Sequence, residues 1–291
     1  MTIGSPVLRV RNIERVSAFY ERIGLLVTKK YQEDNNLIYE FGTRRKFSTS
    51  DKLPLVILQN DPEAKNASQR SAGLFHFAIL VPERKSLAST YLALRDSGIR
   101  YDGFADHLVS ESLYLRDPEN NGIEIYSDRP SIEWRRDSEG HIMMDTLPLD
   151  LDSLVSKEIS KEEEKEKAEA FPSGGRIGHM HLKVTNLERS IRFYHEKLGL
   201  DITVDWRSMG AAFLSAGGYH HHIGVNIWHS LNGQAHNSDK AGLKNFTITI
   251  PDKSFVKGLA ARIYGSTSAA TNENQLLVSN PDGIQFLIRS Q

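Results

Sequence analysis

The chain contains no cysteine. Disulfides, thiolate ligands and thiol nucleophiles are therefore excluded, and any tightly held metal must use histidine and carboxylate. Long apolar runs are missing as well. No stretch approaches the roughly eighteen apolar residues of a membrane span, and the first twenty residues hold no continuous apolar segment. Neither sign of charge prevails. The 36 Lys and Arg are balanced by 37 Asp and Glu, a net charge of -1, which gives no broad positive field for nucleic acid. These absences lead to the expectation of a soluble, cytoplasmic protein with a small-molecule partner, neither membrane-bound nor bound to nucleic acid. Whether it forms a homo-oligomer is not legible.

What is present is enough for a real core. With 291 residues, 39% hydrophobic and 25% charged, the chain fits one large or two ordinary domains. Its order is set by an internal repeat. VLRVRNIERVSAFYERIGLLV at 7–27 recurs as HLKVTNLERSIRFYHEKLGLDI at 181–202, sharing Leu8/Leu182, Val10/Val184, Asn12/Asn186, Glu14/Glu188, Arg15/Arg189, Phe19/Phe193 and Tyr20/Tyr194. Each copy reads as a strand, an Asn-started helix, a glycine stop and another strand. A weaker pair joins GLFHFAILVP at 73–82 to GLKNFTITIP at 242–251, and DPENNGIEI at 117–125 to NPDGIQFLI at 280–288.

The reading is an α+β fold of four βαβββ modules, near 5–60, 73–127, 177–230 and 242–289. Each module has one apolar face that it cannot bury alone, so the four should combine as two open, barrel-like cups, each with a cavity. The expected organisation is an N-terminal domain at 1–128, a linker at 129–175 and a C-terminal domain at 176–291. The KEEEKEKAEA run within the linker reads as a solvated helix with i,i+4 charge pairs before a flexible break.

Chemistry-bearing residues cluster in the middle of the chain. His76 lies on the apolar strand GLFHFAIL, and Glu124 lies in YLRDPENNGIEIY. A buried glutamate on an apolar strand is an expensive charge unless a cation accompanies it. A further histidine-rich strand, RIGHMHLKV at 176–184, follows the linker, and GGYHHHIGVNIW comes about forty residues later. A lone buried histidine is more often satisfied by a backbone partner than by a metal, but this company favours a site.

The repeat and these motifs resemble the vicinal oxygen chelate superfamily, which includes glyoxalase I and the extradiol ring-cleaving dioxygenases. The resemblance covers nearly the whole chain. DHLVSESLYLRDPENNGIEIYSDRP and GGYHHHIGVNIW resemble the bacterial catechol 2,3-dioxygenase branch in particular. The resemblance implies a ligand histidine five residues before a strand-ending Val or Ile, and a ligand glutamate on the last strand after a DPxxN-type turn. The first positions are then Ser5, His76, His179 and Asn245, and the second are Glu124 and Leu287. Modules one and four lack ligands, so pairing module two with three, and one with four, is what brings His76, Glu124 and His179 together. Two imidazoles and one carboxylate leave three positions open on a non-haem Fe(II), or on Mn(II) in its place.

The implied activity is ring opening of a catechol or substituted catechol by O2. A proton must leave the diol and another must be returned later, so an acid-base group should stand beside the metal. Strand alternation sets His220 and His222 on one face and His221 on the other. Counting in glyoxalase-like modules favours His222, the HH motif of the dioxygenases favours His221, and we place His222 first. Tyr114 stands ten residues before Glu124, the dioxygenase spacing for a phenol bound to substrate oxygen, and His107 resembles their outer histidine. His181 faces the same side as His179 and is expected behind the ligands. Phe75, Phe213 and Trp228 are candidates for the pocket wall. Two other readings remain: a glyoxalase-type isomerase or lyase using Zn(II) or Ni(II) with a fourth carboxylate ligand, and a metal-free small-molecule-binding relative.

Overall fold

The computed structural model describes residues 1–43, 54–165, 171–265 and 274–290. The first module comprises β1 (Thr2–Ile3), β2 (Val7–Val10), α1 (Ile13–Arg22), β3 (Leu26–Glu33), β4 (Asn36–Gly42) and β5 (Val56–Asn60). The second comprises β6 (Gly73–Leu80), α2 (Arg84–Asp96), β7 (Gly103–Asp106), β8 (Ser110–Arg116) and β9 (Gly122–Asp128). After a connection carrying α3 (Leu151–Glu158) and α4 (Lys161–Lys165), the third runs through β10 (Arg176–Lys183), α5 (Leu187–Arg192), β11 (Asp201–Trp206), β12 (Ala211–Ser215) and β13 (Ile223–Asn226). The fourth is β14 (Gly242–Ile250), α6 (Ser254–Tyr264), β15 (Gln275–Ser279) and β16 (Gln285–Ser290).

The repeated motif acts alike in both copies. Asn12 Oδ1 accepts the Arg15 N–H at 3.0 Å, and Asn186 Oδ1 accepts the Arg189 N–H at 2.9 Å, so each asparagine satisfies a free donor at its helix start. The helices stop at Gly24 and Gly199, with φ of 95° and 79°, a conformation that glycine adopts without a Cβ penalty. Ile13, Val16 and Tyr20 of α1 turn inward and pack in one continuous core shared by all four modules.

The strands form two curled sheets, and each draws on both halves of the chain. One has the order β15-β16-β14-β2-β5-β4-β3, with β1 added on β14, and the other has the order β11-β12-β13-β10-β6-β9-β8-β7. The second sheet is closed at its centre by antiparallel pairing of β6 with β10, where His181 lies opposite His76 and His179 opposite Ala78. In the other sheet β2 pairs antiparallel with β14.

Modules adjacent in sequence touch through helices and turns. The Tyr20 hydroxyl donates to Asp117 Oδ2 at 3.4 Å, while Asn280 Nδ2 donates to the Tyr194 hydroxyl at 3.2 Å. Both phenols are fully buried. Glu119 Oε1 accepts the N–H groups of Arg11 and Asn12 at 2.8 and 3.0 Å, which ties the DPENN turn to the start of α1. In the KEEEKEKAEA run, α4 pairs with α2 through Lys85–Glu163 at 2.8 Å and Arg95–Glu164 at 3.6 Å, and residues 166–170 lie outside the described residues. Among the described residues no helix is long and apolar enough to cross a membrane.

Candidate metal centre

The β6–β10 seam sets His76 and His179 on the concave face of one sheet, and β9, parallel to β6, adds Glu124. Both imidazole Nε2 atoms stand 2.9 Å from the same carboxylate oxygen, Glu124 Oε2, and 3.4 Å from each other. Ligand atoms of all three residues lie within 4.8 Å, and all three are buried.

Two glycines permit this approach. A Cβ on Gly122, two residues before Glu124, would run into the Phe75 carbonyl oxygen, so β9 could not lie this close to β6. A Cβ on Gly178 would meet the Tyr126 hydroxyl, whose ring packs against His179 at 5.0 Å between centroids.

Protonation favours a cation here. Burial pushes the Glu124 carboxyl up, but the charges of His179 and His76 outweigh it and hold the group well below the usual carboxylate range. Burial, aided by the neighbouring His76 and His220, holds the His179 imidazole down at about 4 against the opposite pull of Glu124. An ionised carboxylate facing two imidazoles, with no permanent cation among its partners, is the donor set that a divalent ion completes. Its other oxygen is committed: Glu124 Oε1 accepts from Ser112 Oγ at 2.6 Å and from the Tyr114 hydroxyl at 3.1 Å. His179 Nδ1 has no hydrogen-bond partner, and its ring lies against His221 at 4.0 Å.

A cavity of about 310 Å³ opens beside the cluster. Its walls include Phe75, Trp206, Phe213 and Trp228, with Tyr114, His107, His181 and His221 as polar members. That size is at the small end for ligand pockets and suits a single aromatic ring. Asp102 is its other carboxylate, and Arg116 holds it at 2.5 Å.

The histidine run differs from its sequence reading. Residues 220–222 precede β13 instead of lying on it, so strand alternation does not apply to them. His221 lines the cavity, with Nδ1 2.7 Å from His220 Nδ1, and His220 Nε2 reaches Asp128 Oδ1 at 2.9 Å. His222, placed first from the sequence, is turned away, with Nδ1 bonded to Ser215 Oγ at 2.7 Å. Burial lowers His221 well below the usual imidazole value and His222 to about 3.

The other sequence candidates fall near the cluster. His107 Nε2 meets the Tyr114 hydroxyl at 2.7 Å, and its Nδ1 donates to the Asp145 carbonyl at 2.8 Å. His181, expected behind the ligands, instead lines the cavity beside His76, ring centroids 4.9 Å apart, with its Nε2 accepting from Asn226 Nδ2 at 3.0 Å. In the other sheet Asn245 takes the equivalent position on β14 and Ser5 falls just before β2, with no carboxylate-histidine cluster around them among the described residues.

Several contributors were not seen in the sequence. Ser112 is one, although its alternation with Tyr114 on β8 and their register opposite β9 was the available signal. The connection is another: Leu147 pairs with Asp106, and Met144 and Thr146 line the cavity. The apolar pair Met143–Met144 within a charged stretch was the only hint.

Paired curled sheets with a buried cluster of two histidines and a glutamate in one of them define a class: the sequence profile of the Glyoxalase/Bleomycin resistance protein/Dioxygenase superfamily matches residues 2–125 and 176–227, and the chain belongs to that superfamily. It is 38% identical over 282 residues to catechol-2,3-dioxygenase of Bacillus subtilis (strain 168), covering 96% of this chain and 93% of the relative. Within its superfamily it is thus a catechol-2,3-dioxygenase-like oxidoreductase. A shorter match, 41% identical over 95 residues, is to biphenyl-2,3-diol 1,2-dioxygenase 3 of Rhodococcus globerulus, covering 32% of this chain and 50% of that protein. The crystal structure of glyoxalase I from Zea mays superposes with a TM-score of 0.56 over 99% of this chain and 92% of that one. At 15% identity it bears on the fold alone.

Proposed function

We propose that the protein is an Fe(II)-dependent extradiol dioxygenase that opens catechol or a small substituted catechol with O2, with His76, His179 and Glu124 holding the metal. The observation that carries this is the convergence of two imidazoles and one carboxylate, within 4.8 Å, on an aromatic-walled cavity sized for one ring. Iron bound there, or manganese in its place, would supply open coordination positions for a bidentate diol and for dioxygen.

The chain's own residues supply the rest. Phe75, Phe213 and Trp228 hold the ring and exclude water. His221 is the acid-base group: burial keeps it neutral, so it can take a hydroxyl proton from the diol and return it later. His220 and Asp128 orient it through the bonds at its Nδ1 side. Burial, reinforced by Glu124, pushes the Tyr114 phenol well above its usual value, so it keeps its proton and can turn it from Glu124 Oε1 to a substrate oxygen, with His107 Nε2 2.7 Å away.

A glyoxalase-type site needs a second carboxylate as its fourth ligand. The remaining cavity carboxylate, Asp102, is occupied by Arg116. The test is anaerobic loading with Fe(II), followed by catechol and air, with the yellow semialdehyde as readout. A metal-loaded protein that gives no colour with any simple catechol overturns the proposal. Tight aromatic binding by metal-free protein would instead favour a sequestering role.

A further inference from the structure

We propose that the cleft between the two sheets, next to the metal cavity, is a binding site for a small polyanion, either phosphate or a dicarboxylate. The cleft has a volume of about 730 Å³ and is bordered by β6, β10 and β14 and by the loops that precede β6 and β14. Its lining carries Arg70, Arg116, Lys183 and Lys240. Glu119 is the one carboxylate among the described lining residues, and it is already used by the N–H groups of Arg11 and Asn12 and by the Arg11 guanidinium at 3.6 Å.

Arg70, Lys183 and Lys240 make no ion pair among the described residues, although Lys183 and Lys240 are partly buried. Cations gathered in a concave space raise the local potential and draw in anions. A second, independent feature points to a ligand. Ser71, 3% exposed, lines the same cleft with its Oγ lacking any hydrogen-bond partner. Buried hydroxyls are rarely left unpaired, and an anion oxygen would complete this one. Burial and the nearby Arg116 both hold the Lys183 ammonium below its usual value, a strain that a bound anion relieves. Arg116 and Phe75 border both spaces, so the anion site and the metal cavity share a wall.

Calorimetric titration of the metal-loaded enzyme at low ionic strength, with inorganic phosphate and separately with malonate, tests this without any ring cleavage. The expected result is one saturable site per chain for at least one of the two anions, with affinity reduced tenfold or more in Lys183→Gln; the tighter anion identifies the ligand class. Should Lys183→Gln fail to fold, Arg70→Gln and Lys240→Gln carry the same expectation. Absence of saturation by both anions, or wild-type affinity in the folded variants, overturns the site and leaves the proposed dioxygenase activity untouched.

Discussion

Ser112 Oγ donates to Glu124 Oε1 at 2.6 Å, and both imidazoles meet the opposite oxygen, Oε2, at 2.9 Å each. The carboxylate is thereby held with one oxygen anchored and the other facing the proposed metal. Outer partners of this kind tune affinity by roughly 10- to 100-fold. Ser112→Ala should weaken Fe(II) binding by at least about tenfold while leaving the fold intact, as measured by chelator competition. Unchanged affinity would show that Ser112 does not orient the ligand.

His179 and Asn245 occupy equivalent first-strand positions in the two sheets. His179→Ala should abolish both iron retention and turnover, and Asn245→Ala should leave iron content almost unchanged. Metal analysis after desalting decides it, and equal loss in the two variants would rule out the assignment of the metal to the sheet that carries His179.

His221 and His222 offer a sharper contrast. His221→Ala should lower kcat by roughly 10²- to 10⁴-fold, the range for loss of a general acid-base group, with iron content retained. His222→Ala breaks its bond to Ser215 in a buried position and should cost about 1–3 kcal/mol of stability with turnover kept within a few-fold. Steady-state kinetics together with urea denaturation separate the two, and the reverse pattern would return the role to His222.

Asp117, 4% exposed, accepts the N–H groups of Glu119 and Asn121 at 2.8 and 2.9 Å, yet burial pushes its carboxyl from 3.8 up to about 6. Between these values the folded chain holds a proton that the unfolded chain has released. Stability should therefore fall as pH rises through this window, by on the order of 2–3 kcal/mol, with the loss absent below it and complete above it. Urea midpoints between pH 3.5 and 7 on metal-free protein should show a smaller decline in Asp117→Asn than in wild type; parallel curves would refute the assignment.

Much of this architecture could be read directly from the chain. The shared residues of 7–27 and 181–202 disclosed the repeat because each does a local job: Asn12 and Asn186 cap helices, Gly24 and Gly199 end them, and Tyr20 and Tyr194 fill the space beneath. Local jobs leave local signatures. His76 and Glu124 stood out for a related reason, since ionisable groups on apolar strands require a partner, whereas His179 was picked out from RIGHMHLKV by what the family resemblance implies. The histidine run was harder. Its reading assumed a strand, whereas the chain turns before β13 and presents His221 to the cavity.

The sequence by itself determined the module count, the helix caps and which side chains are available for chemistry, because these depend on neighbours along the chain. The pairing of module two with three followed from the ligand positions that the resemblance implies, but only the tertiary structure decided that Ser112 anchors the carboxylate, that Met144 and Thr146 of the connection line the cavity, and that unpaired cations collect between the sheets. Each of these brings together groups far apart in the chain, and their contact depends on how the curled sheets pack, which no local pattern encodes.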